Sequence, residues 1–155
     1  MSTPHDENTA YHEAGHAVVA LALDRPVHRV SVLPTQAYLG TCEFRKGVFR
    51  PSKDWLENEI LIALAGPASE ARQRGKYEWG GAGRDLRVAE KLCIMRAGER
   101  QAEKLARRML AKVENLLAEE SLWRAVELIV AELMQKGEIT GRAARHLFDL
   151  ACKEE

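Results

Sequence analysis

At 155 residues the chain is long enough for one domain with a single core, and its 46% hydrophobic and 30% charged content is ordinary for a globular protein. Lysine plus arginine equals aspartate plus glutamate at 23 each, so no net charge draws the chain toward nucleic acid or anionic lipid, and neither is expected as a partner. No apolar run approaches the roughly eighteen residues of a spanning helix, which argues against membrane insertion.

The opening stretch is polar and acidic, with no basic start or apolar core of a secretory signal. Thr3-Pro4 predicts a helix start, with Asp6 and Glu7 in the first turn and the helix running to about Leu23. Asp24-Arg25-Pro26 ends it, because proline cannot continue the hydrogen-bond ladder. Val27 to Leu33 alternates and is rich in β-branched residues, a strand; Pro34-Thr35-Gln36 turns, and Tyr38 to Phe44 returns as the second strand of a hairpin. Gly47 to Pro51 closes that unit. Ser52 caps a helix with Leu56, Ile60, Ala63 and Leu64 on one face; Gly66-Pro67 is expected to interrupt it, leaving a short helix that ends at Gly75. Tyr77 to Gly83 is the glycine-dense loop. From Asp85 the chain reads as helical nearly to its end, with breaks at Gly98, Glu120-Ser121 and Gly137, and Thr140 capping the last helix. The interleaved charges from Glu99 to Glu120 are those of a solvated helix surface. Three cysteines, Cys42, Cys93 and Cys152, are odd in number and widely spaced, unlike a disulfide framework, so reduced thiols and a cytoplasmic location are expected.

The chemically informative stretch is Tyr11-His12-Glu13-Ala14-Gly15-His16. On a helix, residues i and i+4 share a face, so both imidazoles can reach one ion. Glu13, rotated by roughly 100°, faces a water beside that ion rather than the ion itself. This is the H-E-x-x-H arrangement of zinc hydrolases. Given the chain's histidine and glutamate content, about 0.02 accidental matches are expected. Gly15 costs the helix roughly 1 kcal/mol relative to alanine, which calls for close approach of another backbone or a substrate. A catalytic zinc needs a third protein ligand and one open position. Val19 and Ala22 stand where a longer motif would place Gly and His, so that ligand lies further along the chain. Asp85, at a junction between glycine loop and helix, is one candidate; Glu70 and Glu90 are rivals that also read as solvent-facing helical acids, while His28 and His146 read as surface or core histidines.

Several segments together resemble the protease domain of the FtsH family of ATP-dependent zinc metalloproteases. They are His12 to Val19, Val27 to Pro34 with Leu39-Gly40, Leu64 to Glu70, Gly81 to Leu86 with Ala89, and Leu133 to Leu147. The resemblance implies Zn2+ on His12, His16 and Asp85, with Glu13 as general base. It implies a mainly α (α+β) fold, a helical zincin-like peptidase domain with a small β-hairpin or sheet after the metal-binding helix. One domain is expected over 1–155, with a metal-binding part (1–98) and C-terminal helices (99–155). Substrate would lie extended along a strand edge of the Val27–Phe44 hairpin. The family's membrane helices and ATPase module are not seen here, nor is a G-x-x-x-x-G-K-[ST] loop, so activity is expected to be ATP-independent. Pro67 and Arg84 depart from the family pattern.

The expected function is therefore a zinc-dependent metallo-endopeptidase acting on flexible or unfolded polypeptides. The alternative is a catalytically weak or inactive binding module that presents a strand edge to a partner protein, and a third reading is hydrolysis of a non-peptide amide. Homo-oligomerisation and a separate ATPase partner are both compatible with the sequence. Tyr77 and Arg84 are near Asp85 in sequence, but loop and surface roles suit both better than oxyanion stabilisation.

Overall fold

The computed structural model describes residues 6–36, 39–45 and 53–153. Among them run six helices and three strands: α1 (Glu7–Ala22), β1 (Val27–Ser31), β2 (Thr41–Phe44), α2 (Lys53–Arg74), α3 (Gly83–Ala97), α4 (Ala102–Ala118), α5 (Glu120–Lys136), β3 (Glu138–Thr140) and α6 (Gly141–Lys153). The fold is mainly helical with one small antiparallel sheet, as expected.

The start of α1 is set by Asp6, whose carboxylate accepts from the amides of Asn8 (2.9 Å) and Thr9 (3.4 Å). Asp6 is thus the N-cap rather than a first-turn residue. The expected start at Thr3-Pro4 falls outside the described residues. The helix ends four residues before Pro26. Asp24 takes a left-handed conformation (φ 61°), its amide reaches the Leu21 carbonyl, and the Arg25 amide reaches back to Ala20 at 2.8 Å. A Schellman-type closure stops the helix before proline can act.

Two expectations about the sheet change. The hairpin strands are shorter than predicted, and Tyr38 falls outside the described residues. A third strand, β3, pairs antiparallel with β1, giving the order β2-β1-β3. Three residues between two helices carry too little periodicity to announce a strand, and Gly137 (φ 78°) turns the chain into it. The alternation read for β1 also fails at its start. A bulge between Val27 and Arg29 leaves His28 and Arg29 both exposed while Val27 and Val30 are both buried. Gly141 packs against the bulge, since a Cβ there would lie 1.7 Å from the Val27 carbonyl oxygen.

The predicted interruption at Gly66-Pro67 does not occur, and α2 is continuous with Pro67 inside it. Much of the clash a proline imposes on its predecessor involves that residue's Cβ, which Gly66 lacks. Residues 60–69 are all buried, so packing of this segment outweighs the one lost hydrogen bond. Gly75 (φ 85°) then ends α2 as expected. The breaks at Gly98 and Gly137 hold, and the α4–α5 break falls at Glu119. Thr140 caps α6, its hydroxyl accepting from the Ala143 amide at 3.1 Å. Buried residues from Ala10 to Ala151 form one contiguous apolar cluster, with α1 and α2 at its centre and α4, α5 and α6 packed around them.

Candidate metal centre

The centre forms where α1, α2 and the start of α3 meet. α1 and α2 cross closely because Gly15 has no side chain: a Cβ there would sit 2.3 Å from the Ser69 Cβ and 2.6 Å from the Ala65 carbonyl oxygen. The approach of a second backbone is the feature that the cost of Gly15 called for. Ser69, fully buried, locks the crossing by donating to the Tyr11 carbonyl at 2.6 Å.

One turn of α2 from that crossing, Gly66 makes room for both imidazoles. A Cβ at 66 would lie 2.3 Å from His16 Nε2 and 2.7 Å from His12 Nε2. The rings stand 5.0 Å apart, nearly perpendicular. The first turn of α3 brings in Asp85, whose Oδ2 lies 2.6 Å from His12 Nε2 and 3.2 Å from His16 Nε2. His12, His16 and Asp85 each present a ligand atom within 4.8 Å of the others, the only group among the described residues that could hold a metal ion. Two imidazole nitrogens and a carboxylate oxygen are the donor count of a zinc site that keeps one position open. The cradle that a Cβ at 66 would fill adds a steric fit to that chemistry.

The outer ring nitrogens are fixed as well. His16 Nδ1 lies 2.7 Å from the Ile62 carbonyl oxygen, which can only accept, so His16 donates there and aims Nε2 inward. His12 Nδ1 lies 3.2 Å from Glu70 Oε1, and Glu70 is held in turn by Arg74 at 3.2 Å. Glu70 is therefore neither solvent-facing nor one of the three convergent ligand atoms; it faces the back of His12. Its distance of four residues from Gly66 is the signal that places it on the same face of α2. Glu90 is exposed on α3, and His28 and His146 are exposed on the surface.

Burial and charge set the titration of this cluster in the metal-free chain. Burial alone would lower the pKa of His12, but the carboxylates of Asp85 and Glu70 overcome it and push it up to about 10. His16 moves up for the same reason, with Asp85 overcoming burial. Burial opposes ionisation of Asp85 too, yet the two histidines hold it far below the usual carboxylate range. Glu13, only 7% exposed, is raised chiefly by burial and by the Asp85 charge, against the pull of His16, His12 and Arg84.

Glu13 and the three convergent residues line a cleft of about 850 Å³ whose far wall includes Gly40, Thr41 and Cys42 of the β2 side. Gly40 is pinned there, since a Cβ would lie 2.6 Å from Thr9 Cγ2 and 3.1 Å from Glu13 Cγ. Cys42 is a site-wall residue that sequence reading passed over as a plain thiol. Burial and the charges of Glu13 and Asp85 hold it protonated. Tyr77 lies elsewhere, stacked on Trp79 with centroids 4.4 Å apart and its hydroxyl on Glu114, while Arg84 does line the cleft.

Comparison with known proteins bears on this geometry. Residues 1–112 match peptidase family M41. The ATP-dependent zinc metalloprotease FtsH of Magnetococcus marinus is 40% identical over 96 residues, covering 59% of this chain and 14% of that protein. FtsH 4 of Sorangium cellulosum is 31% identical over 117 residues (72% of this chain, 16% of that protein), and FtsH of Haemophilus influenzae is 34% identical over 94 residues (57% and 15%). The chain thus spans about one-sixth of the length of these relatives or less. The family match ends within α4, so Leu133 to Leu147 lies beyond it. With residues 1–112 inside the match, the chain belongs to peptidase family M41, a family of zinc metalloproteases.

Proposed function

We propose that this chain is a zinc-dependent endopeptidase of flexible or unfolded polypeptides, with His12, His16 and Asp85 as metal ligands and Glu13 as general base. The observation that carries the reading is the convergence of three ligand atoms within 4.8 Å on a cleft wall that also holds Glu13. Zinc, when bound, supplies Lewis acidity that polarises a carbonyl and brings the pKa of water toward about 7.

The chain's own residues do the rest. The Ile62 carbonyl and Glu70 fix the imidazoles so that both Nε2 lone pairs face the same point. Glu13 takes the proton of the attacking water and passes it to the departing amine nitrogen. A raised pKa suits that double duty, because the group must accept and then release a proton near neutral pH. Gly66 keeps the floor of the site free of side-chain bulk. β1 is paired on both sides, so an extended substrate has the outer edge of β2, which borders the cleft, as its strand to join. A polypeptide bound as an added strand must lack structure of its own. This favours unfolded substrates without any ATP-driven step.

Glu13→Gln tests the assignment, since it keeps size and hydrogen bonding but removes the base. Zinc content should stay near that of the wild type while casein hydrolysis falls by about 10²- to 10⁴-fold. Equal hydrolysis by the variant would exclude this mechanism.

A further inference from the structure

We infer that Arg87, on the cleft side of α3 with the positive charge of Arg84 one turn before it, forms a carboxylate-binding subsite that selects peptides carrying an acidic group near the cleaved bond. The inference rests on the peptidase reading only in taking a peptide as the carrier of that carboxylate. Outside Glu13 and Asp85 the wall carries four acidic groups, and each is already engaged. Asp6 caps α1, Glu59 is paired with Arg25 at 2.9 Å, and Glu70 and Glu78 share Arg74 at 3.2 and 3.7 Å. Asp85 faces the two histidines.

Arg87 is not balanced in the same way. Arg87 lines the cleft, is exposed, and has no ion-pair or hydrogen-bond partner among the described residues. Its guanidinium folds back along α3, with one terminal nitrogen 3.3 Å from where a Cβ of Gly83 would be. The group therefore points toward the cleft end of the helix rather than out along it. Arg84 stands one turn before it on the same side, within electrostatic reach of Glu13. A planar guanidinium fork recognises carboxylate in a bidentate manner, which a water-filled rim would not otherwise require. The carboxylate can come from an aspartate or glutamate side chain or from the C-terminus of the peptide.

The test measures binding, in zinc-loaded full-length Glu13→Gln protein, of fluorescein-labelled ten-residue peptides by anisotropy. One pair differs only by Glu against Gln at a central position, and a second pair only by a free against an amidated C-terminus. The acidic member of at least one pair should bind about fivefold more tightly, as a partly exposed charge pair allows. The pair that shows the preference identifies the source of the carboxylate. Adding Arg87→Gln should bring that ratio close to one, Arg87→Lys should keep part of it, and raising the salt should shrink it. Equal binding within both pairs, or a preference that survives Arg87→Gln, would overturn the subsite. Casein hydrolysis by the wild type separates the two claims. Hydrolysis with no acid preference removes the subsite alone, whereas a preference erased by Arg87→Gln with no hydrolysis removes the peptidase reading alone.

Discussion

The α1–α2 pair and the α4–α6 helices answer to different constraints. α4 and α6 are strongly amphipathic, and α4 buries one stripe (Leu105, Met109, Val113, Leu117) while its other faces carry charge to solvent. α1 and α2 show little amphipathic character because they are enclosed on nearly every side, and the polar groups they bury belong to the candidate metal centre. In the outer helices a side chain has only to be apolar and of about the right size. At the α1–α2 crossing it must be absent altogether, at Gly15 and Gly66, or be one particular proposed ligand, as at His12 and His16. Tolerance to substitution should therefore differ sharply between the two regions.

The sharpest contrast is at the proposed ligands. Asp85→Ala should weaken zinc binding well beyond the roughly 10- to 100-fold expected from Glu70→Gln, which removes only the carboxylate behind His12. Zinc affinity measured by competition with a chelator gives the ranking, and the reverse order would make Glu70 the ligand. Next in size is Gly66→Ala. It puts a methyl group against both imidazoles and should abolish stoichiometric zinc binding, read by metal analysis. Val113→Ala in α4 should instead cost about 2 kcal/mol of stability, as a buried large-to-small change does, and leave zinc affinity alone. If Val113→Ala disturbs zinc as much as Gly66→Ala, the two regions are not separable in this way.

The smallest effect is a pH dependence of the metal-free protein. His12 is raised from about 6.5 to about 10 in the folded chain, so the stability it contributes is complete below about pH 6.5 and is lost as pH climbs through about 10. Asp85 is lowered from 3.8, so its contribution is present above about pH 4 and is lost on acidification. In excess chelator, the melting temperature should fall steadily from pH 6.5 to 10. At fixed free zinc the stabilisation by metal should grow from pH 6 to 9, because the ion displaces the His12 proton. A flat metal-free profile from pH 6.5 to 10 would deny the His12–Asp85 ion pair.

The ease of reading these regions from sequence follows the same division. The breaks at Gly98 and Gly137, the Thr140 cap and the interleaved surface charges announce α4, α5 and α6, because those helices have one wet face. Asp85 was one of three carboxylates until resemblance favoured it, since 69 residues separate it from His16 and only the fold joins them. The continuity of α2 through Pro67 was misjudged, because a local breaker rule omits the burial of ten consecutive residues around it. Glu70 looked solvent-facing for a similar reason: its partner, His12, lies 58 residues away. β3 and the bulge in β1 depend on strand pairing that no short window contains.

The most direct test of the central claim is a crystal structure of the zinc-loaded protein, with the metal located by its anomalous scattering. A single strong peak about 2.0–2.2 Å from His12 Nε2, His16 Nε2 and an Asp85 carboxylate oxygen is the result predicted. A peak coordinated instead by Glu70 or Cys42, or no peak between the two histidines, would contradict it.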